Sequence, residues 1–293
     1  MNPTLFSIIV PTFNRANVLP NALNYIFAQQ FSNYEIIIVD DGSTDNTEQL
    51  IFNYKDSRIR YVKKTNGGVC TARNLGIEHS KGKYIVFFDT DDGVSDTWLL
   101  NFYTAISEDG KFDVISGGMI IKSDEYPNGK LVKPVDNGKG AIQLAVVIPG
   151  TFAVKKSFLM LTGFYDENIK YGENTELFLR FKIHNPTVAY TNSFDFTYYP
   201  SVDGGSKNIR NRFTSNLYIF KKHISWIESE PKNKFVYLNI LVVDGIKLKE
   251  YKKSLFFLLK SIKMNPFFTK SYVRLVQLFF NYIKTDLLAI NSK

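Results

Sequence analysis

The chain has 293 residues, 44% of them hydrophobic and 15% aromatic, with a net charge of +8. That is enough apolar material for one large domain, or a domain plus an extension, and the sequence shows no repeat period and no low-complexity segment. Its single cysteine, Cys70, excludes an internal disulfide, and no apolar run approaches the roughly 20 residues of a spanning helix, which points to a cytoplasmic location.

Residues 5–122 alternate regularly. Leu5–Val10 reads as a strand and Ala16–Gln30 as a helix with apolar Leu19, Leu23 and Ile26 on one side. Glu35–Val39 is a second strand. Asp41-Gly42-Ser43-Thr44 is a turn with a helix-capping Ser or Thr, followed by a helix to about Tyr54. Arg58–Val62, Tyr84–Phe88 and Phe112–Ile121 read as further strands, with helices over Val69–His79 and Thr97–Ser107 between them. Strands alternating with helices indicate βαβ units and a mostly parallel sheet. Residues 123–140 read as a loop or hairpin, Gly150–Val154 as a strand, Lys155–Leu161 and Glu173–His184 as helices, and Thr187–Tyr199 as a strand. After Gly205, four segments (Phe213–Trp226, Phe235–Lys249, Tyr251–Lys263 and Thr269–Ile283) are apolar at helical spacing, with lysines on their other faces. The expected division is therefore an α/β domain over 1–204 and a mainly helical extension over 205–293.

The most informative stretch is Ile85-Val86-Phe87-Phe88-Asp89-Thr90-Asp91-Asp92. A doubly buried strand reads as a continuous apolar run, and ligands of open α/β sheets bind beyond the carboxyl ends of such strands. Three carboxylates there need a positive partner. A hard divalent cation, held by oxygens and shared with phosphate, is one candidate; a solvated helix-capping turn is the other.

Four more features share that rim. Pro11-Thr12-Phe13-Asn14-Arg15 ends the first strand, where Phe13 can stack on a nucleobase and the backbone at Thr12 can meet base edges, or where the chain simply turns. Asp40-Asp41-Gly42-Ser43-Thr44-Asp45 ends the second strand; a carboxylate there can accept the ring N–H of uracil or thymine, or can merely cap a helix. Asn66-Gly67-Gly68 leads into Ala72-Arg73-Asn74, and Arg73 can pair with a diphosphate or with one of the clustered aspartates. Finally, Glu173-Asn174-Thr175-Glu176 opens a helix, where a carboxylate can act as a general base or only favour the helix dipole.

In this order and spacing the motifs resemble the family 2 glycosyltransferases of the GT-A fold, over roughly residues 5–200. The resemblance implies a Rossmann-like sheet, an inverting transfer from a nucleotide-diphospho-sugar, expected to be a UDP-sugar, and Mg²⁺ or Mn²⁺ as cofactor. By position, Pro11, Thr12 and Phe13 would line the base pocket, Asp41 would meet the base and Asp40 support its loop. Asp89 would start the metal motif, and Asp91 and Asp92 would hold ribose and metal. The acceptor would be a saccharide or a lipid-linked sugar in surface polysaccharide synthesis. One departure matters: many members have Glu-Asp where this chain has Glu173-Asn174, and that Asp is their catalytic base. An amide cannot take a proton, so Glu173 or Glu176 replaces it, or the chain is an impaired nucleotide-sugar-binding or scaffolding homologue.

A dinucleotide-dependent oxidoreductase is disfavoured because no Gly-x-Gly-x-x-Gly follows the first strand. Charge is uneven: residues 205–293 carry 17 Lys/Arg and 5 Asp/Glu, a net of +12, against −4 for the rest. The lysines alternate with core-spaced Phe, Leu and Ile, which disfavours nucleic acid and points to peripheral contact with the inner membrane face.

Overall fold

A computed structural model describes residues 3–106, 110–134, 148–200 and 208–290, with side chains as far as 282. Its first half follows the expected alternation: β1 (Phe6–Thr12), α1 (Leu19–Phe27), β2 (Tyr34–Asp40), α2 (Thr47–Phe52), β3 (Ile59–Lys63), α3 (Val69–His79) and β4 (Tyr84–Phe87). β1 pairs in parallel with β2 and β4, and β2 with β3. Alternate residues of these strands feed two cores. Ile8, Val10, Ile36, Ile38 and Val86 pack with Leu19, Leu23 and Ile26 of α1. Ile9, Ile37, Val39, Ile85 and Phe87 pack with Ala72 and Ile77 of α3. Both faces are covered, which is why the strands read as unbroken apolar runs. At Gly76 a Cβ would lie 2.4 Å from Cγ2 of Ile9, so α3 rides on β1 at a distance only glycine permits.

Beyond β4 the chain builds β5 (Gly93–Val94), α4 (Trp98–Ala105), β6 (Val114–Ser116), β7 (Met119–Ser123), β8 (Tyr126–Val132), β9 (Phe152–Lys155), α5 (Lys156–Thr162), α6 (Glu173–Ile183), β10 (Val188–Tyr190) and β11 (Phe196–Tyr198). The central seven-stranded sheet has the order β10-β6-β9-β4-β1-β2-β3. It is mostly parallel as expected; β9 alone runs against its neighbours β4 and β6. A second sheet, order β5-β11-β7-β8, was not foreseen. Two segments expected as single strands, 112–121 and 187–199, each break in two and pass from one sheet to the other. They do so side by side, β10 parallel to β6 and then β11 parallel to β7. The break falls at Gly117-Gly118, where a Cβ on Gly118 would sit 2.7 Å from the Phe194 ring. The Gly118 N–H donates to the Ser193 carbonyl at 3.0 Å. The hairpin expected within 123–140 exists as β7–β8; residues 135–140 lie outside the described residues.

The expected helix cap at Ser43 or Thr44 is corrected. α2 starts later, after Asn46, with no side-chain cap on that residue. Ser43 Oγ instead accepts the Asn14 N–H at 2.8 Å, tying the loops that follow β1 and β2.

The C-terminal part is helical: α7 (Ile209–Lys222), α8 (Ile224–Ser229), α9 (Pro231–Lys247), α10 (Tyr251–Met264) and α11 (Thr269–Ile290). The helix expected over 213–226 divides at His223. Phe213, Ile219, Ile227, Leu238, Leu241, Val242 and Leu258 are buried, and Arg212 pairs with buried Asp244. Contacts divide the chain into two compact units. One holds the residues to Glu167 together with Glu173–Val202, the other Asn168–Gly172 together with the chain from Asp203 onward. The boundary expected at 204/205 lies outside the described residues. Among the described residues no helix is long and apolar enough to cross a membrane.

Candidate active site

The carboxyl ends of β1, β2 and β4 are neighbours in one sheet, with Thr12 opposite Asp40 and Ile9 opposite Phe87. The sequence motifs therefore meet at one rim. Asp40 is fully buried. Its Oδ1 accepts the Ser43 N–H at 2.7 Å and its Oδ2 the Tyr61 hydroxyl at 2.5 Å. Burial and the Asp40 charge raise the Tyr61 pKa, so that proton stays in place. Asp41 accepts from Lys64 Nζ at 2.7 Å and from the Gly67 and Gly68 N–H groups at 2.9 and 2.7 Å. A carboxylate has about four lone-pair sites; three of those of Asp41 are taken in closing the loop between β3 and α3, which leaves one, on Oδ2, for a single further donor. Gly68, at φ +93°, precedes α3, and a Cβ there would touch nothing within 4 Å. Space is open in front of that helix end. Phe13 is 46% exposed, whereas Thr12 is buried and its Oγ1 has no hydrogen-bond partner among the described residues. Buried polar atoms are nearly always satisfied, so an orphan hydroxyl at a rim invites a ligand or water. Asn14 takes φ +52° and accepts the Thr44 N–H at 2.8 Å.

The Asp-rich turn does not form a cage. Asp89 receives Arg73 Nη2 at 2.9 and 3.0 Å. Asp91 is 43% exposed, with Arg15 3.7 Å away. Asp92 is buried and its Oδ1 accepts the Tyr199 N–H at 3.4 Å. Burial, reinforced by the Asp89 and Asp91 charges, pushes the Asp92 carboxyl up to about 8. Among the described residues no group of three His, Cys, Asp or Glu side chains is gathered to hold a metal. The donor set nevertheless suits Mg²⁺ or Mn²⁺ of the substrate-bridged kind. Such an ion takes one or two protein carboxylates and draws its remaining oxygens from phosphate and water. Asp91 presents hard oxygen donors to solvent, beside a second carboxylate whose charge is unfavourable without a cation.

Arg73 pairs with the clustered carboxylates, one of the two compatible roles the sequence offered it. Its side chain is only 2% exposed and is spent on Asp89 and on Glu173, the latter at 3.1 Å. It balances the acidic turn from beneath, the alternative the sequence left open. Burial works against its charge, but Asp89, Tyr165 and Glu173 more than restore it, and its pKa is raised. Cys70, on the same helix, is buried, and burial pushes its thiol up to about 12, so it packs as a neutral group.

The three candidates on α6 separate cleanly. Glu173 Oε1 accepts from Arg73 and, at 3.3 Å, from Asn174 Nδ2, while Oε2 takes no hydrogen bond among the described residues. Asn174 Oδ1 accepts the hydroxyl of buried Tyr165 at 2.9 Å. Glu176 is fully buried and grips Arg180 through both oxygens at 2.9–3.0 Å. Arg180 in turn donates to the carbonyls of Thr162, Gly163 and Phe164. Glu176 is thus withdrawn as a base and becomes the anchor of the loop after α5. Removing one partner of a buried ion pair costs about 3–5 kcal/mol. Glu176→Gln is expected to lower the melting temperature by roughly 10 °C, read by scanning fluorimetry, while folded protein keeps its turnover. Unchanged melting with turnover lost would return Glu176 to the chemistry.

The family model described as Glycosyl transferase family 2 matches residues 7–169. The chain belongs to that family. Among its relatives, the minor teichoic acid biosynthesis protein GgaB of Bacillus subtilis is 28% identical over 304 residues, covering 97% of this chain and 33% of GgaB. Glycosyltransferase GlyG of Streptococcus pneumoniae is 38% identical over 116 residues, covering 39% of this chain and 38% of GlyG. The chain spans between 15% and 58% of the length of the curated relatives it matches. Two solved structures share the fold. S. aureus TarS 1–349, in complex with UDP-GlcNAc, superposes with a TM-score of 0.66 at 18% identity, covering 89% of this chain and 81% of that one. The Pyrobaculum calidifontis mannosyltransferase PcManGT, in complex with GDP-Man and Mn²⁺, gives 0.64 at 17% identity, covering 97% and 87%. The α/β domain is accordingly a GT-A fold, followed by helices.

Within this family 2 domain, Tyr61, Lys64 and Tyr199 support the rim, and sequence reasoning singled out none of them. Lys64 follows the end of β3, so the strand-end rule applied to the third strand finds it. Tyr199 follows β11 in the second sheet, 107 positions from Asp92, and no local pattern announces it.

Proposed function

We infer that the chain moves a glycosyl group from a nucleotide-diphospho-sugar, of which UDP-sugars are the leading class, to a hydroxyl of a saccharide or lipid-linked acceptor, with inversion, in surface polysaccharide synthesis. The observation that carries this reading is the meeting at one rim of Thr12 with its orphan hydroxyl, exposed Phe13, the open α3 end at Gly68, and exposed Asp91. Kinship with a teichoic acid protein supports the pathway class. The fold shared with nucleotide-sugar complexes supports the donor class.

In this reading Phe13 stacks on the base and Thr12 supplies the hydroxyl that its own backbone leaves unpaired. Asp41 and Lys64 hold the Gly67-Gly68 loop so that the α3 N-terminus faces the diphosphate, where backbone N–H groups and the helix dipole favour negative charge. Asp91, with Asp92 behind it, would hold Mg²⁺ or Mn²⁺, which when bound neutralises charge on the departing nucleoside diphosphate. Arg73 keeps Asp89 and Glu173 in place. Glu173 Oε2 takes the acceptor's proton as its oxygen attacks the anomeric carbon opposite the leaving group.

The test is a thermal-shift panel of UDP- and GDP-sugars, each with and without Mn²⁺, followed by turnover of whichever binds. A donor at about 100 times its Kd stabilises by about 2.7 kcal/mol. A rise of several degrees, larger with Mn²⁺, is expected for a UDP-sugar. No shift with any nucleotide would overturn the reading. A shift without turnover against a broad acceptor panel would favour a nucleotide-sugar-binding homologue, the outcome that Asn174 in the base position keeps in view.

A further inference from the structure

The helices α10 and α11 expose an apolar face that their own packing does not cover. α10 buries Ser254, Phe257 and Leu258 yet shows Leu255, Phe256 and Leu259 to solvent. α11 buries Leu278 while Phe279 and Phe280 stay 63% and 65% exposed. Between the two helices lies a cavity of about 810 Å³ lined by aliphatic and aromatic side chains together with Lys252. A contiguous exposed apolar patch on this scale marks an interaction site.

Charge identifies the partner. From Tyr251 to Thr285 the chain has no Asp or Glu and seven Lys/Arg, among them Lys252, Lys260, Lys263 and Lys270. Lys260 Nζ stands 4.5 Å above the Phe256 ring, so cation and aromatic occupy one spot of the surface. A second copy seated here would bring Lys252 and Lys260 against their own counterparts, and no carboxylate lines the groove among the described residues. A nucleic acid could stack bases on the rings but would leave the aliphatic lining of the groove, Leu255, Leu275, Val276 and Leu278, unused. An anionic bilayer satisfies both features at once: the aromatic and aliphatic side chains enter the headgroup–acyl boundary while lysines reach the lipid phosphates.

We propose that the α10–α11 face is a docking surface for an anionic lipid bilayer, with Phe279, Phe280 and Phe256 as inserted side chains, the groove seating an acyl chain, and Lys252, Lys260 and Lys263 as headgroup contacts. The proposal goes beyond glycosyl transfer. Vesicle binding is measured with no donor present, so its failure leaves the reaction proposed above untouched.

The experiment is flotation of the full chain with phosphatidylcholine vesicles, alone or with phosphatidylglycerol. Partition is expected to be at least about tenfold stronger on the anionic vesicles and to fall as salt screens the lysines. F279S/F280S should weaken it by roughly tenfold per ring, with an unchanged melting temperature and unchanged nucleotide response. K252Q/K260Q/K263Q, which leaves the apolar groups intact, should weaken it by roughly fivefold per lysine and flatten the salt dependence. Equal binding to neutral and anionic vesicles would overturn the proposal. So would wild-type-like binding by either variant, or a chain that sediments as a dimer and is split by F279S/F280S.

Discussion

Asp91→Asn is expected to fold as the wild type does and to lose nearly all metal-dependent turnover. Its carboxylate is 43% exposed and its ion pair to Arg15 is long at 3.7 Å. Exposed pairs of this kind contribute about 0–1 kcal/mol, so melting should move by no more than a degree or two. The chemical consequence is much larger. A cation at the diphosphate supplies several kcal/mol of charge stabilisation in the transition state, and each 1.36 kcal/mol is about tenfold in rate. A loss of roughly a thousandfold follows, in both transfer and donor hydrolysis, measured at saturating donor and Mn²⁺. Turnover within threefold of wild type would refute Asp91 as a metal ligand. Asp92 is the poorer probe. It is buried and bonded to the Tyr199 backbone, so its replacement also disturbs the junction between the second sheet and the rim.

Glu173→Gln is expected to lower the transfer rate by about 10²–10⁴-fold, the usual worth of a general base, with donor affinity nearly unchanged. The amide retains an oxygen to accept from Arg73, and Asp89 still balances that guanidinium, so the fold should survive, as a melting curve would check. The informative companion is Asn174→Asp. Asn174 Oδ1 accepts from the Tyr165 hydroxyl, and burial holds that hydroxyl in its protonated form. A carboxylate there would gain the same hydrogen bond and restore the Glu-Asp pair. If Glu173 is the base, Asn174→Asp changes the rate little and does not rescue Glu173→Gln to wild-type level. If Asn174→Asp accelerates transfer more than tenfold, the native chain is working without its best base and Glu173 is an electrostatic bystander. Initial rates of all three variants and the wild type, at saturating donor and acceptor, decide between these outcomes.

The site was legible in part because its residues lie at strand ends. Continuous apolar runs, ended by Asp, Gly and Asn, locate the rim without knowledge of any long-range contact. Thr12, Phe13, Asp40, Asp41 and Asp89–Asp92 could all be placed there from their neighbours in sequence. Their orientation could not. Which carboxylate faces solvent depends on Arg73 and Glu173, 100 positions apart, and on Tyr199 from another sheet.

The same distinction holds for the fold. The chain alone determined the alternation from β1 to β4, the parallel core and the helical C-terminal part, because burial periodicity and turn chemistry are local properties. It also carried the uncertainty at Asn174. Only the tertiary structure decided that the 112–121 and 187–199 segments each serve two sheets. That switch arises where Gly118 meets Phe194 and the two backbones leave the central sheet together. Only the folded molecule, too, separated Glu176, locked to Arg180, from Glu173, whose second oxygen takes no hydrogen bond among the described residues. Three residues apart on one helix, both read as candidate bases. The physical reason is that a carboxylate's chemistry is set by which partners surround it, and those partners arrive from parts of the chain that sequence proximity does not reveal.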